Sequence, residues 1–422
     1  MSSSMASADT GPTSVTPAPR WFEDGRLHHG VGIEDTFIPQ EAHGARKLDE
    51  YELTQHYHYW REDLGLAAAS GATMIRWGVP WYLVEPEEGQ FDFRWLDEVA
   101  AHLSDLGLRC VVDLMHYGTP LWMEESFLDP RYPELVARYA ATVAARYPGV
   151  FSDFTPLNEP MVNAQWCGRD ARWPPALSGD TGLVRVLVRL ALGMVATQRA
   201  IAEVRPDAAF VHVDAGFRWD GPLGPGGLTR RQAEEWRFLP VDLITGRVDE
   251  AHPLFDYLVE RGARVADLAH LRRDAVRPDV MGVNYYPAFS TMQVDEHGVE
   301  QPVEVGKEGL EDLLHAYHER YRLPIAVTET SRSTPDVAEK AQWVDDLLDT
   351  LAELRADGLP VVGVFWFPLM DLFDWAYRDG TEPADAYLRP FGLVDLVRGA
   401  DGVLRRRPNA AFDRWRARVT AG

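Results

Sequence analysis

Two glutamates, Glu159 and Glu329, stand in this sequence where catalytic carboxyl groups would be expected. Glu159 lies in Thr155–Pro160, which reads TPLNEP, and Glu329 lies in Val327–Thr330, which reads VTET. Each follows a short apolar run that is typical of a buried strand. They are 170 residues apart (329 − 159), so only a fold that gathers distant strand ends can bring them together. Two carboxyl groups that face each other across a cleft are the groups that cleave glycosidic bonds.

The rest of the chain alternates between short apolar runs and longer amphipathic stretches, which predicts strand–helix units and a parallel sheet. Helical spacing of apolar residues is clearest in Trp95–Leu103, Leu135–Tyr147 and Trp343–Leu354. The eight predicted strands are His28–Glu34, Ala72–Val79, Leu108–His116, Asp153–Asn158, Ala208–Asp214, Asp279–Tyr286, Pro324–Glu329 and Val361–Phe367. We therefore predict the α/β class, with residues 21–422 forming one (β/α)8 TIM barrel.

Three segments fall outside this simple repeat. Residues 215–252 and 287–309 are longer than a plain crossover, and they are predicted to be long βα loops at the mouth of the barrel. Residues 1–20 are rich in Ser, Thr, Ala and Pro, which predicts a disordered tail. That tail has no apolar stretch suited to a signal peptide.

Composition narrows the classes of function. A formal net charge of −23 disfavours nucleic acid and anionic membrane surfaces as partners. The two cysteines, Cys110 and Cys167, form no disulfide framework, so a reducing, cytoplasmic location is expected. The close histidine pairs lack the spacing of a zinc helix, and we predict no metal and no cofactor. The expected partner is a small-molecule glycoside or oligosaccharide, and homo-oligomerisation is left open.

Polar or aromatic side chains close nearly every predicted strand, although a core strand has no reason to end in a charged residue. If the strands form one barrel, these side chains converge on one mouth. Arg76 would keep a nucleophilic carboxylate ionised, and Trp366 and Trp375 would offer flat faces to a sugar. The candidate site residues are Glu34, Arg76, His116, Asn158, Glu159, Asn284, Tyr286, Glu329, Trp366, Asp374 and Trp375.

Taken together, these segments resemble glycoside hydrolase family 1, the β-glucosidase family, as a divergent member. The similarity runs from about Gly30 to Asp395. Thr155–Pro160 looks like the family's T-x-N-E-P, and Val327–Thr330 looks like its T-E-N-G. The further similar segments are Arg76–Trp81 (R-F-S-x-S-W), His116–Pro120 (H-W-D-x-P), Gly282–Tyr286 (G-x-N-Y-Y) and Phe365–Trp375 (W-S-L-M-D-N-F-E-W).

The resemblance implies a retaining β-glycosidase that forms a covalent glycosyl-enzyme. Glu159 would be its acid/base and Glu329 its nucleophile, supported by Arg76. Asn158 would contact the sugar 2-hydroxyl, and His116 would bind the sugar in subsite −1. Asn284 and Tyr286 would share the inward face of the sixth strand.

The sugar-binding rim departs from the family pattern. The Gln expected near the end of the first strand is missing, and Glu34 is a candidate replacement. Asp374 stands where the family has a Glu that holds the 4- and 6-hydroxyls, and Gly118 and Ser331 replace an Asp and a Gly. Glucose is therefore not assured as the glycone. Two alternatives remain: a transglycosidase acting on a small-molecule acceptor, and a non-catalytic sugar-binding protein.

Overall fold

The protein, seen here as a computed structural model, is described for residues 20–41, 44–225 and 228–421. The tail predicted over residues 1–20 lies outside the described residues except for Arg20. Eight parallel strands close into one barrel, in which β1 pairs with both β2 and β8, so the predicted TIM barrel is confirmed. The strands are β1 (His28–Gly32), β2 (Met74–Gly78), β3 (Arg109–Asp113), β4 (Phe151–Thr155), β5 (Ala209–Ala215), β6 (Val280–Asn284), β7 (Ile325–Thr330) and β8 (Val361–Trp366).

One long helix follows each strand and covers the outside of the barrel. These helices are α1 (His56–Ala69), α2 (Arg94–Leu106), α3 (Tyr132–Arg146), α4 (Gly179–Val204), α5 (Val265–Arg273), α6 (Lys307–Tyr321), α7 (Val337–Ala356) and α8 (Ala410–Thr420). Shorter helical turns lie at Glu50–Leu53, Trp81–Val84, Pro160–Ala164, Arg230–Trp236, Leu239–Ile244 and Phe255–Glu260.

Local sequence sets the ends of these helices. Gly107 ends α2 in a left-handed conformation with φ of 67°, which costs glycine little because it has no Cβ. Asp336 begins α7 by accepting a hydrogen bond from the backbone N–H of Ala338 at 2.8 Å. Each predicted helix overlaps an observed one.

Small apolar side chains fill the lower half of the barrel interior, including Val111, Val211 and Val280. A short 3₁₀ turn, Trp21–Glu23, closes the lower end, and the indole N–H of Trp21 donates to Asp153 at 2.9 Å. The packed lower half leaves only the upper end, where the strands finish, for a ligand.

Residues 215–252 and 287–309 carry regular structure that the sequence did not predict. Strand Arg218–Asp220 pairs with Thr291–Val294, which pairs in turn with Glu300–Pro302. The two long connections between strands and helices are therefore joined by a small sheet above the barrel, a detail that the prediction of long βα loops did not include. Within the part of the chain that the structure describes, every helix is too short or too polar to span a bilayer.

Candidate active site

The backbone aims both glutamates into the barrel mouth. Glu159 has a left-handed conformation with φ of 45° and ψ of 65°, unusual for a residue with a side chain, and it precedes the turn Pro160–Ala164. Pro160 suits the first helical position because its fixed φ matches the helix. Strained backbone of this kind persists only where the surroundings hold it, and it is common at active sites.

A β-bulge delivers the second glutamate. The pairing of β7 with both neighbouring strands shifts between Val327 and the end of the strand. Side chains in a regular strand alternate between faces, so Thr328 and Glu329 would point in opposite directions. The bulge lets both reach the same region, where Thr328 donates to the Asn284 side chain at 2.7 Å and Glu329 accepts from Arg76.

Arg76, on β2, donates hydrogen bonds to two carboxyl groups, those of Glu329 and Asp113. Its Nη1 atom donates to Glu329 Oε1 at 2.7 Å, and its Nη2 atom donates to Asp113 Oδ2 at 2.7 Å. Burial alone would lower the pKa of Arg76, but the two carboxylates raise it. Tyr286 donates to the other oxygen of Glu329 at 2.7 Å. These hydrogen bonds fix the orientation of the Glu329 carboxyl group.

Glu159 lies in a different environment. Its Oε1 atom accepts from the Asn284 amide at 2.9 Å, and its Oε2 atom accepts from the Tyr117 hydroxyl at 2.6 Å. Burial and the nearby charge of Glu329 raise the pKa of Glu159 to about 7, although both hydrogen bonds favour the carboxylate. The carboxyl groups of Glu159 and Glu329 therefore have different hydrogen-bond partners, although both lie in the same cleft.

Asn158 lies behind these carboxyl groups and is fully buried. Its Oδ1 atom accepts from Arg76 at 3.1 Å and from Asn284 at 3.3 Å. Its Nδ2 atom faces the Tyr117 hydroxyl at 2.9 Å and His116 Nε2 at 3.0 Å. Both ends of the amide are therefore engaged by protein groups. In this arrangement Asn158 orders its neighbours, and its contact with a sugar 2-hydroxyl stays a prediction.

A cleft of about 490 Å³ opens at the ends of the strands and contains both glutamates. Its polar end brings together Glu34, His116, Glu159, Asn284, Tyr286 and Glu329. Its other end is mainly apolar, with Val162, Trp166, Phe217, Trp219, Trp236 and Phe289 in the wall. Phe217 and Phe289 belong to the two long connections, which therefore shape the mouth as the sequence indicated.

Glu34 and Asp374 lie at the rim where the sequence departs from the family pattern. Oε1 of Glu34 accepts from Thr36 Oγ1 at 2.6 Å, and burial raises the pKa of this glutamate. Asp374 accepts from Arg389 Nε at 3.1 Å and from the backbone N–H of Ala376 at 2.8 Å. Its short side chain is thus held by protein groups at the edge of the cleft.

Lengthening Asp374 should change sugar preference. In Asp374→Glu the extra methylene lets the carboxylate reach past Arg389 toward the sugar. We expect the ratio of kcat/KM for gluco- and galacto-configured aryl glycosides to change by about fivefold, the effect of roughly one good hydrogen bond. Asp379→Glu, at the surface ion pair with Arg172, is the control. An unchanged ratio in Asp374→Glu would show that this residue does not read a hydroxyl.

Trp375 lies in the cleft wall, but Trp366 does not. Trp366 is fully buried on the outside of the barrel, and its ring centroid lies 6.3 Å from that of Trp415 on α8. The preceding residue, Phe365, belongs to the barrel interior, so alternation turns Trp366 outward. Phe367 points inward again, with its ring parallel to His116 at 6.3 Å. The prediction that Trp366 binds sugar was wrong.

Sequence reasoning missed three residues of the site: Tyr117, Asp35 and Asp113. The two aspartates contact His116 Nδ1 at 3.0 and 3.2 Å, and burial raises the pKa of Asp35 to about 7. Together with His116 they are the group at this site that could converge on a metal ion. Asp113 already contacts the positively charged guanidinium of Arg76. The absence of a metal ion stays a prediction. Asp113 had a signal, since it is a charged residue near the end of the predicted strand Leu108–His116.

A closed parallel barrel with two unequal carboxyl groups at the carboxyl ends of β4 and β7 defines a class of protein, the glycoside hydrolases of the (β/α)8 type.

Comparisons with known proteins agree with this class. A family model described as β-galactosidase, of glycoside hydrolase 42, matches residues 51–147, a segment that contains neither glutamate. A β-glucosidase from Agrobacterium sp. is 25% identical over 88% of this chain and 86% of its own. The galactolipid galactosyltransferase SFR2 of Arabidopsis thaliana is 21% identical over 81% of this chain and 55% of its own. The family 1 β-glucosidase of Thermotoga maritima superposes with a TM-score of 0.79, at 18% identity, over 95% of this chain and 98% of that one.

The chain therefore shares the fold of a family 1 β-glucosidase and is similar in sequence to β-glucosidases. One departure from the family pattern has a direct steric reason. A Cβ atom on Gly118 would lie 1.9 Å from the carbonyl oxygen of Phe37, so no side chain fits where the family has an Asp.

Proposed function

We propose that this protein is a retaining β-glycosidase that hydrolyses a β-linked glycoside by double displacement. One observation carries the proposal: the two glutamates share a cleft but have opposite surroundings. Arg76 and Tyr286 each donate a hydrogen bond to Glu329 at 2.7 Å. Burial and the charge of Glu329 hold a proton on Glu159 to about pH 7.

Each side chain has one task in each step. In the first step a Glu329 oxygen attacks the anomeric carbon and the bond to the leaving oxygen breaks, while Glu159 gives its proton to that oxygen. In the second step Glu159 takes a proton from water, and the water oxygen attacks the same carbon. The ester bond to Glu329 then breaks, and the sugar leaves with its original configuration.

The substrate class follows from the polar end of the cleft and from the relatives. We propose a β-linked sugar of neutral type, because the cleft presents carboxyl, hydroxyl and amide groups that suit sugar hydroxyls. The Thermotoga maritima enzyme has been solved in complex with glucoimidazole, which supports a sugar in this position. We also propose that the enzyme acts in the cytoplasm, because both cysteines are buried and form no disulfide, as suits a reducing compartment.

A panel of 2-deoxy-2-fluoro β-glycosides with good leaving groups tests the mechanism. The fluorine slows release of the sugar, so the covalent intermediate should accumulate. Mass spectrometry is expected to show one fluorosugar on the peptide that carries Glu329, and the trapping rates rank the accepted glycones. A label on another carboxyl group, or a product of inverted configuration from an ordinary aryl glycoside, would contradict the proposal.

A transglycosidase is the second candidate, and the apolar end of the cleft favours it. Phe217, Trp219 and Trp236 provide surface that binds an apolar acceptor and disfavours ordered water. The relative SFR2 is named a galactolipid galactosyltransferase, which supports the same reading. The acceptor would then take the place of water in the second step and lose its hydroxyl proton to Glu159.

Removing one apolar wall residue should separate the two reactions. In the parent enzyme, 1-alkanols of increasing chain length are expected to divert a rising share of product into alkyl glycosides. Phe217→Ala should lower that share by about tenfold, since it removes roughly 1.5 kcal/mol of apolar contact, and hydrolysis should change less. Phe91→Ala, beside Phe93 and outside the cleft, is the matched control. A yield independent of alcohol length would favour plain hydrolysis.

A further inference from the structure

Tyr117 contacts the carboxyl group of Glu159 through its hydroxyl. The two oxygens are 2.6 Å apart, and the tyrosine is almost fully buried. The family pattern that this segment resembles, H-W-D-x-P, has a tryptophan in place of this tyrosine. The hydroxyl is therefore a feature of this chain, and the mechanism described above assigns it no task.

The surrounding hydrogen bonds fix the direction of this contact. Asn158 Oδ1 already accepts from Arg76 at 3.1 Å and from Asn284 at 3.3 Å, so its Nδ2 atom must be the group that faces Tyr117. Nδ2 donates to the Tyr117 oxygen at 2.9 Å. The hydroxyl hydrogen of Tyr117 is then directed to Glu159 Oε2. The chain of donors runs from Asn158 through Tyr117 to Glu159.

Packing holds the phenol ring before any substrate arrives. The ring centroid of Tyr117 lies 5.1 Å from that of Trp173 and 5.5 Å from that of Trp375. Asn163 also donates to the Tyr117 carbonyl at 3.2 Å. A donor fixed in this way loses little entropy when charge develops on its partner, which is the condition for electrostatic preorganisation.

We propose that Tyr117 is a positioning residue for Glu159, which orients the carboxyl group and stabilises the negative charge left on it when its proton passes to the leaving oxygen. The proposal rests on the proposed function, in which Glu159 is the acid/base. Asn284 holds Oε1 and Tyr117 holds Oε2, so the proton to be transferred lies on the side that faces the cleft. No bond other than the O–H bond of Glu159 is broken within this network.

Tyr117→Phe removes the hydroxyl and keeps the ring. Because the lost hydrogen bond favoured the carboxylate, Glu159 should release its proton about one pH unit higher, as expected for one charge-assisted bond. The fall of kcat/KM above pH about 7 in the parent should move upward by that amount. Glu329 and His116 also act electrostatically on Glu159, and neither is altered. The loss in kcat/KM should be about tenfold for poor leaving groups and small for 2,4-dinitrophenyl.

Tyr132→Phe is the matched control, because it also removes a buried hydroxyl near the barrel. That hydroxyl contacts the Met115 sulfur at 3.5 Å. Its pH profile and leaving-group dependence should match those of the parent. A Tyr117→Phe enzyme whose rate falls equally at every pH and for every leaving group would show a merely structural role, and would overturn the proposal.

A double-mutant cycle with Glu159→Ala gives an independent test. If Tyr117 acts through Glu159, adding Tyr117→Phe to Glu159→Ala should leave kcat/KM on glycosides with poor leaving groups unchanged within about twofold, although the same substitution costs about tenfold in the parent. A further loss comparable to that in the parent background would overturn the proposal. Failure of the proposed function looks different, since Glu159→Ala alone would then show no dependence on the leaving group.

Discussion

Replacing Glu329 with glutamine is expected to lower kcat/KM on aryl β-glycosides by roughly 10⁴-fold or more. The amide of glutamine has nearly the same shape as the carboxylate, but it is a very poor nucleophile. The first step then has no group that can attack the anomeric carbon. The fluorosugar reagents that label the parent should leave Glu329→Gln unlabelled, and intact-protein mass spectrometry measures this directly.

The fold of Glu329→Gln should survive because Arg76 keeps a second carboxylate. Asp113 accepts from Arg76 at 2.7 Å, so the buried guanidinium is not left without a counter-charge. Glu85→Gln is the matched control. Glu85 is equally buried and paired with Arg138, but it lies outside the cleft wall. The midpoint temperature of thermal unfolding should fall in both variants, whereas activity should be lost only in Glu329→Gln.

Turnover by Glu329→Gln within tenfold of the parent, with the same fold, would contradict the nucleophile assignment. The same measurements separate an enzyme from the non-catalytic alternative. A non-catalytic sugar-binding protein would show no turnover in the parent, so Glu329→Gln could not lower it. Binding of a sugar-like inhibitor by isothermal titration calorimetry should persist in the variant, since the remaining groups of the polar end are intact.

The strands were predictable because a parallel barrel buries them on both faces. Such strands are near-continuous apolar runs between amphipathic helices, and all eight predicted strands overlap the observed ones. Glu159 and Glu329 were predictable for a related reason, since the fold collects the carboxyl ends of its strands at one mouth. The strand topology alone is enough to predict that the two glutamates converge, without knowledge of how side chains pack.

Trp366 shows what strand patterns leave open. A one-residue change in register moves a side chain to the opposite face of the sheet. Counting back from Leu369–Asp371, which reads LMD as in the family pattern, places the family's first tryptophan at Phe367. The sequence has a tryptophan one residue earlier, at Trp366, and its chemistry suggested a sugar platform. The structure turns that ring toward Trp415, away from the cleft.

The network behind Glu159 was out of reach for a different reason. Tyr117 lies in the motif segment His116–Pro120 but differs from its pattern, and Asp35 belongs to a connecting segment without a motif, so neither was predicted. The role of Tyr117 depends on the direction of the Asn158 amide, which depends in turn on Arg76 and Asn284 from other strands, and that of Asp35 depends on its contact with His116. Such long-range hydrogen bonds are set by packing in three dimensions.

Replacing Glu159 with alanine is expected to separate the substrates by leaving group. Leaving groups of high pKa need the proton that Glu159 supplies, so alkyl and 4-methoxyphenyl glycosides should lose roughly 10³- to 10⁴-fold in kcat/KM. For 2,4-dinitrophenyl glycosides the first step should change little, because that phenolate leaves without protonation. A plot of log kcat/KM against leaving-group pKa should therefore be much steeper in Glu159→Ala than in the parent.

The direction in which activity changes with pH tests the same assignment of Glu159 as the acid. Glu159 must be protonated to act as an acid, and its pKa is raised to about 7, so activity in the parent should fall as the pH rises above that value. In the parent this fall should be seen with leaving groups that need the acid, whereas Glu159→Ala has no such group and its profile should lack the fall near pH 7. A fall that persists unchanged would point to another titrating residue.

Azide is expected to rescue the activity of Glu159→Ala, because the smaller alanine side chain leaves space for the anion beside Tyr117 and Asn284. Azide needs no general base, so it can attack the glycosyl ester of Glu329 that water attacks only slowly in the variant. Turnover of the 2,4-dinitrophenyl glycoside should rise at least tenfold with azide, and the product should be the β-glycosyl azide. The parent enzyme should show no such rise, because Glu159 as a carboxylate repels the anion. A uniform loss on all leaving groups with no azide product would assign the acid to a different residue, since only the acid/base position couples leaving-group pKa to anion rescue.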